Sequence, residues 1–432
     1  MRPITDTTSS SSATGGRSAR ETSLWHSQAH MPSVKRAERV IVRGRGAYVW
    51  DADGNELFDA PASLWYCNVG HGREEIADAV SRQLVQLESY HSFQQFTSAP
   101  ALELSERLVD LAPMPGAKVF LTSGGSDAID TAAKLARRYW DAAGRPEKQG
   151  FVTRESGYHG LHGVGTSIGG LAVNREGFGR LLSDTAQIPV NDAHALEALL
   201  AVEADTIAAF FCEPVIGAGG VIPPAPGFLE SAREICRRHD VLFVSDEVIT
   251  GFGRTGHMFA SDRFGLAPDI VTFAKGVTSG YQPLGGLFVS ERISAPFWDD
   301  DSDLIFRHGL TYSGHAAACA AAMANLDILE REDLVPRVRE LEGVLVEKLA
   351  ELERHPGVRE VRAGVGLLAA IQLEDERRVN EVADRCYRSG ILTRALPGGA
   401  LQVSPPFITT EDELERIAAV VADALDAADG CA

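Results

Sequence analysis

Residues 241–276 read VLFVSDEVITGFGRTGHMFASDRFGLAPDIVTFAKG. The stretch opens with the short apolar run Val241–Ser245, which stops at Asp246-Glu247. Near its end a second run, Asp269–Phe273, stops at Ala274-Lys275-Gly276. Runs this short and this continuous suit strands covered on both faces, the kind that build parallel sheets. Sheets of that type bind ligands in the crevice at the carboxyl ends of their strands. Asp246 and Lys275 both fall at such ends.

The same grammar extends outward. Lys118–Thr122 (KVFLT) is a strand that runs into Ser123-Gly124-Gly125-Ser126 and a helix with Ile129, Ala132, Ala133, Ala136 and Tyr139 on one face. Gly150–Thr153 and Thr206–Val215 read as further strands, and Gly227–Asp240 as a helix. Strands alternating with helices predict an α/β fold, a mostly parallel sheet between helices. An alanine-rich helix is expected from Ala316 to about Glu332. Beyond it, helices near 335–353, 375–389 and 411–428 and strands near 357–373 and 390–404 suggest a smaller α+β domain. Thr410 and Glu413 form a capping box for the last helix. At the other end, Arg39–Tyr48 alternates Val40, Val42 and Gly44 ahead of a turn at 51–55, a β-hairpin expected to join the small domain. The expected organisation is a disordered tail and arm over 1–30, with the low-complexity part at 1–22. A segment packing with the small domain follows over 31–70, then a large domain over 71–325 and the small domain over 326–432.

Composition narrows the partners. The 432 residues are 44% hydrophobic and carry a net charge of -19. That charge argues against a phosphate-backbone partner, which needs clustered Lys and Arg, and against an anionic membrane face. No run reaches the roughly 18 apolar residues of a membrane span. The N-terminus lacks the basic and apolar regions of a signal peptide. The six cysteines, at 67, 212, 236, 319, 386 and 431, contain no CxxC pair. Cys212, Cys236 and Cys319 sit in apolar segments as buried thiols, which fits a reducing cytoplasm.

Taken singly, each candidate residue also has an ordinary reading. A lysine is usually a solvated surface residue, and an acid after a strand is often a loop or capping group. Together, Lys275 and Asp246 offer an amine and a carboxylate, and a pyridine cofactor needs one carboxylate at its ring nitrogen. The turn at Ser123–Ser126 presents free backbone N–H groups and a positive dipole end, suited to a phosphate, or is simply a tight turn capped by Ser126. Tyr158, in Tyr158-His159-Gly160, offers a face for a planar ring. His159 and His162 could instead ligate a metal, but Gly157, Gly160 and Gly163 argue against the helix that would align them. Arg394, in the strand-like run Ile391–Ala395, can fork onto a carboxylate or form a surface ion pair. Gly163–Ile168 half-matches a dinucleotide fingerprint. Ile168 stands at its last glycine position and no acid follows at a strand end about 20 residues on, so a nicotinamide dehydrogenase is not expected.

The order of these features resembles the class III aminotransferases of fold type I, over nearly the whole chain after about residue 30. Asp246–Gly256 (DEVITGFGRTG) and Phe273–Gly276 carry it most strongly, and Thr311-Tyr312-Ser313-Gly314-His315 resembles the ω-amino-acid or amine:pyruvate branch. The resemblance implies pyridoxal 5′-phosphate as cofactor and no metal. Lys275 would be the Schiff-base lysine and proton shuttle, and Asp246 the partner of the pyridine nitrogen. Tyr158 and Val248 would stack on opposite ring faces, with Gly124 and Gly125 donating N–H groups to the phosphate. Ser123 and His159 belong to the same cofactor shell, and Glu213 supports its hydrogen bonds. Thr311 would reach the phosphate of a neighbouring subunit's cofactor, which implies a homodimer. Trp65, Phe93, Tyr158 and Arg394 would line the substrate pocket, with Arg394 binding the carboxylate.

The implied reaction is a ping-pong transfer from an amine or ω-amino acid to an oxo acid such as pyruvate. Aminomutase, racemase and decarboxylase chemistry share Lys275 and Asp246 and stay open. The family usually has Ser-Gly-Ser-Glu where this chain has Ser123-Gly124-Gly125-Ser126, so a phosphate-binding hydroxyl is expected to be missing at 125. Ala316 follows His315 where proline is usual.

Overall fold

The structure, a computed structural model, describes residues 22–429. The expected disordered stretch therefore lies, apart from Thr22, outside the described residues, as does Cys431.

A seven-stranded sheet organises the middle of the chain. Its order is Lys118–Thr122, Gly285–Val289, Ile270–Phe273, Leu242–Asp246, Ile207–Cys212, Gly150–Arg154, Thr185–Ile188. Five of the strands pair in parallel, and Gly285–Val289 runs antiparallel to both of its neighbours. That strand is absent from the sequence expectation, because a run opening with Gly285-Gly286 looks like a turn. Space explains the glycines. A β-carbon at 285 would lie 2.8 Å from the Gly124 backbone, and one at 286 would lie 2.5 Å from the Phe273 ring.

Alternation along the strands divides the core between two faces. Phe211 and Val244 pack with Ile129, Ala132 and Ala136 of the helix Gly125–Ala142. Phe210 and Phe243 pack on the opposite side, with Phe228, Leu229, Ala232 and Ile235 of the helix Phe228–Arg238. Phe210, Phe211 and Phe243 are fully buried, and such a side chain contributes about 1.5–3 kcal/mol on leaving water.

Two smaller sheets flank this one. The expected hairpin is a three-stranded meander. Ile41–Arg45 pairs with Tyr48–Asp51 around a bend at Gly46, whose φ is 59°, and the turn after Asp51 leads into Glu56–Asp59. Gly46 supplies the left-handed bend inside what reads as one strand arm. Ile391–Leu392 adds to Glu56–Asp59 in parallel, with Ile391 opposite Phe58. The run Ile391–Ala395 is not one strand. It breaks at Thr393, and Arg394–Leu396 joins the third sheet, ordered Val358–Arg362, Ala369–Leu373, Ala400–Val403, Arg394–Leu396.

The alanine-rich helix spans Ala316–Arg331, and the later helices span Leu334–Ala350, Val379–Arg388 and Glu411–Asp429. The last begins with a reciprocal cap. Thr410 N–H donates to Glu413 Oε2 at 2.8 Å, and Glu413 N–H donates to Thr410 Oγ1 at 3.3 Å, an arrangement worth about 1 kcal/mol. Cys67, Cys212, Cys236, Cys319 and Cys386 are buried free thiols. Among the described residues no helix is long and apolar enough to cross a membrane.

Candidate active site

Asp246 ends its strand opposite Thr272 of the neighbouring strand. Thr272 Oγ1 donates to Asp246 Oδ1 at 3.1 Å, and Val248 N–H donates to the same oxygen at 3.2 Å. His159 Nδ1 lies 2.8 Å from Oδ2. A carboxylate can only accept, so Nδ1 carries the proton. Asp246 and His159 are both buried. The adjacent acid has another task. Glu247 accepts from Ser261 N–H at 2.9 Å, from the Ser261 hydroxyl at 2.6 Å, from the Thr250 hydroxyl at 3.2 Å and from Ala260 N–H. Burial pushes its carboxyl up to about 7. Of the pair, Asp246 is the acid available at the strand end.

Lys275 lies three residues beyond Thr272, in a turn where its own φ is +47°. The turn is pinned from behind, because Asn325 Nδ2 donates to the carbonyls of Gly276 and Val277 at 2.9 and 3.0 Å. A β-carbon at 276 would lie 2.6 Å from Asn68 Nδ2, which leaves glycine as the residue that fits. Burial pulls the Lys275 amine down to about 8. Asp246 and Glu213 favour its charged form, and Arg394 opposes it. Desolvation wins, so much of this amine is neutral near pH 8.

The glycine turn opens the helix Gly125–Ala142, with Gly124 at the cap and no side chain capping the N-terminus. Nothing lies within 4 Å of a β-carbon built at Gly124. Ser123 is half-buried at the start of the turn. A β-carbon on Gly125 would lie 2.8 Å from Val248 Cγ1, and Val248 is a stiff side chain. Glycine at 125 is thus a packing requirement. The first turn still carries a hydroxyl, that of Ser126, which accepts from Leu161 N–H at 3.2 Å. Position 125 itself carries no hydroxyl, and Ser126 lies within the first helical turn rather than capping it.

Tyr158 is tied to Glu213, whose Oε1 accepts Tyr158 N–H at 2.8 Å while Oε2 accepts Gly217 N–H at 2.9 Å. Burial raises the Glu213 carboxyl, against the pull of His159. Burial also raises the Tyr158 phenol, against Arg394. Trp65, buried at 3% exposure, has Lys275 Nζ 5.8 Å from its ring centre and Arg394 Cζ 4.9 Å from it. Lys275, Asp246, His159, Glu213, Tyr158, Trp65 and Arg394 therefore share one neighbourhood.

His162 does not join them. It is exposed, 3.3 Å from Asp127, while His159 faces Asp246, so the two histidines serve different acids. Phe93 and Thr311 also stand apart. Both are exposed, and Phe93 packs against Gly309. Sequence reasoning missed Thr272 and Asn325. Strand register offers a signal for Thr272, and the lone polar residue on a buried face of an alanine-rich helix offers one for Asn325.

The sequence profile of the class III aminotransferases matches residues 30–425. The chain belongs to the class III aminotransferases. It is 37% identical over 422 residues to the putrescine–pyruvate aminotransferase of Pseudomonas aeruginosa, covering 91% of each chain. It is 34% identical to the diaminobutyrate–2-oxoglutarate transaminase of Halomonas elongata, covering 91% of this chain and 92% of that one. The pyridoxal-phosphate-bound structure of an amine transaminase from an uncultivated Pseudomonas species superposes with a TM-score of 0.88 at 37% identity. It covers 94% of this chain and 99% of that one. The fold is that of the fold type I transaminases, and the enzyme is an aminotransferase that uses pyridoxal 5′-phosphate.

The side chains of this aminotransferase fit that cofactor. A depressed-pKa lysine, a buried carboxylate fixed by three donors, and a helix N-terminus with open space before it match an aldehyde, a ring nitrogen and a phosphate.

Proposed function

We propose that this aminotransferase moves an amino group from an amine or ω-amino acid to an oxo acid such as pyruvate, with Lys275 as the attachment and proton-shuttling lysine. The observation that carries the reading is a partly neutral lysine beside Asp246, with Arg394 on the other contact of the shared Trp65 ring. When bound, pyridoxal phosphate supplies an aldehyde carbon for the lysine and a protonated ring that draws off electron density. Asp246 holds the proton at the ring nitrogen, oriented by His159 and Thr272. Lys275 Nζ, partly neutral where it is buried, would move the proton at the substrate carbon. Tyr158 and Val248 would hold the ring between them. Gly124 and Gly125, with Ser123, take the phosphate at the helix N-terminus. Arg394 takes the acceptor's carboxylate, and a pyruvate acceptor agrees with the name of the Pseudomonas aeruginosa relative.

In the same reading the enzyme is a homodimer. Phe93, Thr311 and Tyr312 are all exposed, and Phe93 lies against Gly309, two positions before Thr311, which would suit Phe93 and Thr311 to a partner's site. A fully active monomer by light scattering rules the dimer out. We read residues 31–70 with 326–432 as one unit beside a cofactor-binding unit over 71–325, supported by the pairing of Ile391 with Phe58. The five buried thiols support a cytoplasmic setting.

The test is a panel of amine donors against pyruvate, run with the wild type and Lys275→Ala. Wild type should form one alanine per amine consumed. The variant should lose the visible band of the bound cofactor and at least about 1000-fold in rate. Carbon dioxide release or racemisation without alanine formation points to other chemistry, and an unchanged spectrum in the variant removes Lys275 from its role.

A further inference from the structure

Trp65 reaches its place by a costly backbone path. Ala62, Ser63 and Trp65 have φ of 45°, 57° and 62°, and none is glycine, so each sets its β-carbon against the backbone. A segment like this persists only where its surroundings hold it. The hold comes from Asp59, which is 1% exposed. Both of its carboxylate oxygens lie 2.9 Å from Ser63 N–H, and the Ser63 hydroxyl donates to Oδ2 at 3.3 Å.

On the far side, His71 Nε2 lies 2.8 Å from Oδ2 and must be the donor. His71 is itself tied to the N-terminal meander by a reciprocal backbone pair with Gly46, at 2.8 and 3.0 Å. Beyond the clamp, the Trp65 side chain packs with Val215 and Ile249 of the central region and with Leu396 and Ala400 of the third sheet. Cys67 also lies within 4.8 Å of Asp59 and His71, which are hydrogen-bonded to each other.

We propose that Asp59 and His71 are a positioning pair that sets substrate specificity by holding Trp65 against Lys275 and Arg394. Neither residue touches the candidate substrate space; both act through Ser63 and the backbone of residues 62–65. The proposal rests on the reading that Trp65 lines the substrate pocket beside Lys275. Releasing the clamp lets the indole wall yield, which favours bulky amines over slim ones.

The experiment uses the full-length holoenzyme with pyruvate and two donors, putrescine and 1-phenylethylamine. The ratio of their kcat/KM values is measured for wild type, Asp59→Asn, His71→Gln and Trp65→Ala, and for each clamp variant combined with Trp65→Ala. Asp59→Asn keeps the shape but leaves one acceptor for three donors. His71→Gln spares the Ser63 contact and serves if the first variant does not fold. Each clamp variant should shift the ratio toward the bulky amine about tenfold, and less than about twofold once Trp65 is alanine, because residues acting through one contact are non-additive. Equal shifts in both backgrounds, or no shift in a folded clamp variant, overturn the proposal. A failure of the site reading itself looks different, since Lys275→Ala would then keep its visible band whatever the ratio does.

Discussion

His159 and Asp246 form a buried pair, with Nδ1 of the imidazole 2.8 Å from Oδ2 of the carboxylate. The contact joins the loop after Gly150–Arg154 to the end of Leu242–Asp246, two strands separated in the sheet by Ile207–Cys212. Together with Thr272 and the Val248 N–H, it leaves Asp246 little freedom to turn.

Asp246→Asn should keep the fold, since an amide preserves size and most of these contacts. Turnover should fall on the order of 100-fold or more, because a neutral amide cannot hold the ring nitrogen's proton. Steady-state kinetics beside a thermal melt separates the two effects. Wild-type turnover in the variant would make Asp246 a structural residue.

The rate at which cofactor-free enzyme captures pyridoxal phosphate should follow the Lys275 amine. Burial lowers that amine from 10.5 to about 8, and the neutral form is the nucleophile. Between pH 8 and 10.5 the folded lysine binds fewer protons than the unfolded one. The destabilisation it causes is therefore fully present below about pH 8 and fades as the pH rises toward 10.5. Stopped-flow absorbance should show capture rising with pH and levelling off just above 8. A rate still climbing at pH 10 would mean an ordinary lysine.

Gly125→Ser should loosen the cofactor. The new β-carbon meets Val248 Cγ1 at 2.8 Å, and overpacking of this kind costs about 1–3 kcal/mol. Dialysis followed by absorbance measures retention. Tighter retention in the variant would show that an added hydroxyl outweighs the crowding.

Arg394→Ala should divide the two half-reactions. Arg394 stacks on Trp65 and makes no ion pair among the described residues, and burial lowers its guanidinium. In the proposed function it is the cation that meets the acceptor's carboxylate. The oxo-acid half-reaction should lose about 2–5 kcal/mol, the usual cost of truncating one partner of a buried charge pair. The half-reaction with an uncharged amine should change much less. Single-turnover kinetics reads each half separately, and equal losses would assign Arg394 to structure.

Much of this layout is legible in the sequence, for definable reasons. Val241–Ser245 and Asp269–Phe273 are continuous apolar runs ending at polar residues, so strand ends and the residues they present follow from pattern alone. Gly285–Val289 escapes because its glycines answer to Gly124 and Phe273, which are distant in sequence. The split at Thr393 escapes because a change of sheet leaves no mark in hydrophobicity. Gly125 reads in sequence as a missing hydroxyl, and its crowding against Val248 shows only in three dimensions. Asp59, Ser63 and His71 are ordinary loop residues in sequence, and three-dimensional proximity alone makes them a clamp.

The pairing of Ile391 with Phe58 sets a schedule for birth on the ribosome. The first strands to emerge cannot finish their sheet until a segment more than 300 positions later has been made. At the usual 5–20 residues per second that wait is on the order of 20–70 s. During it the meander keeps an open edge beside Asp59, and Trp65 lacks Leu396 and Ala400 to pack on. The nascent chain must carry that unfinished edge through almost the whole of its synthesis, so the surroundings of Trp65 are among the last parts of the molecule to close.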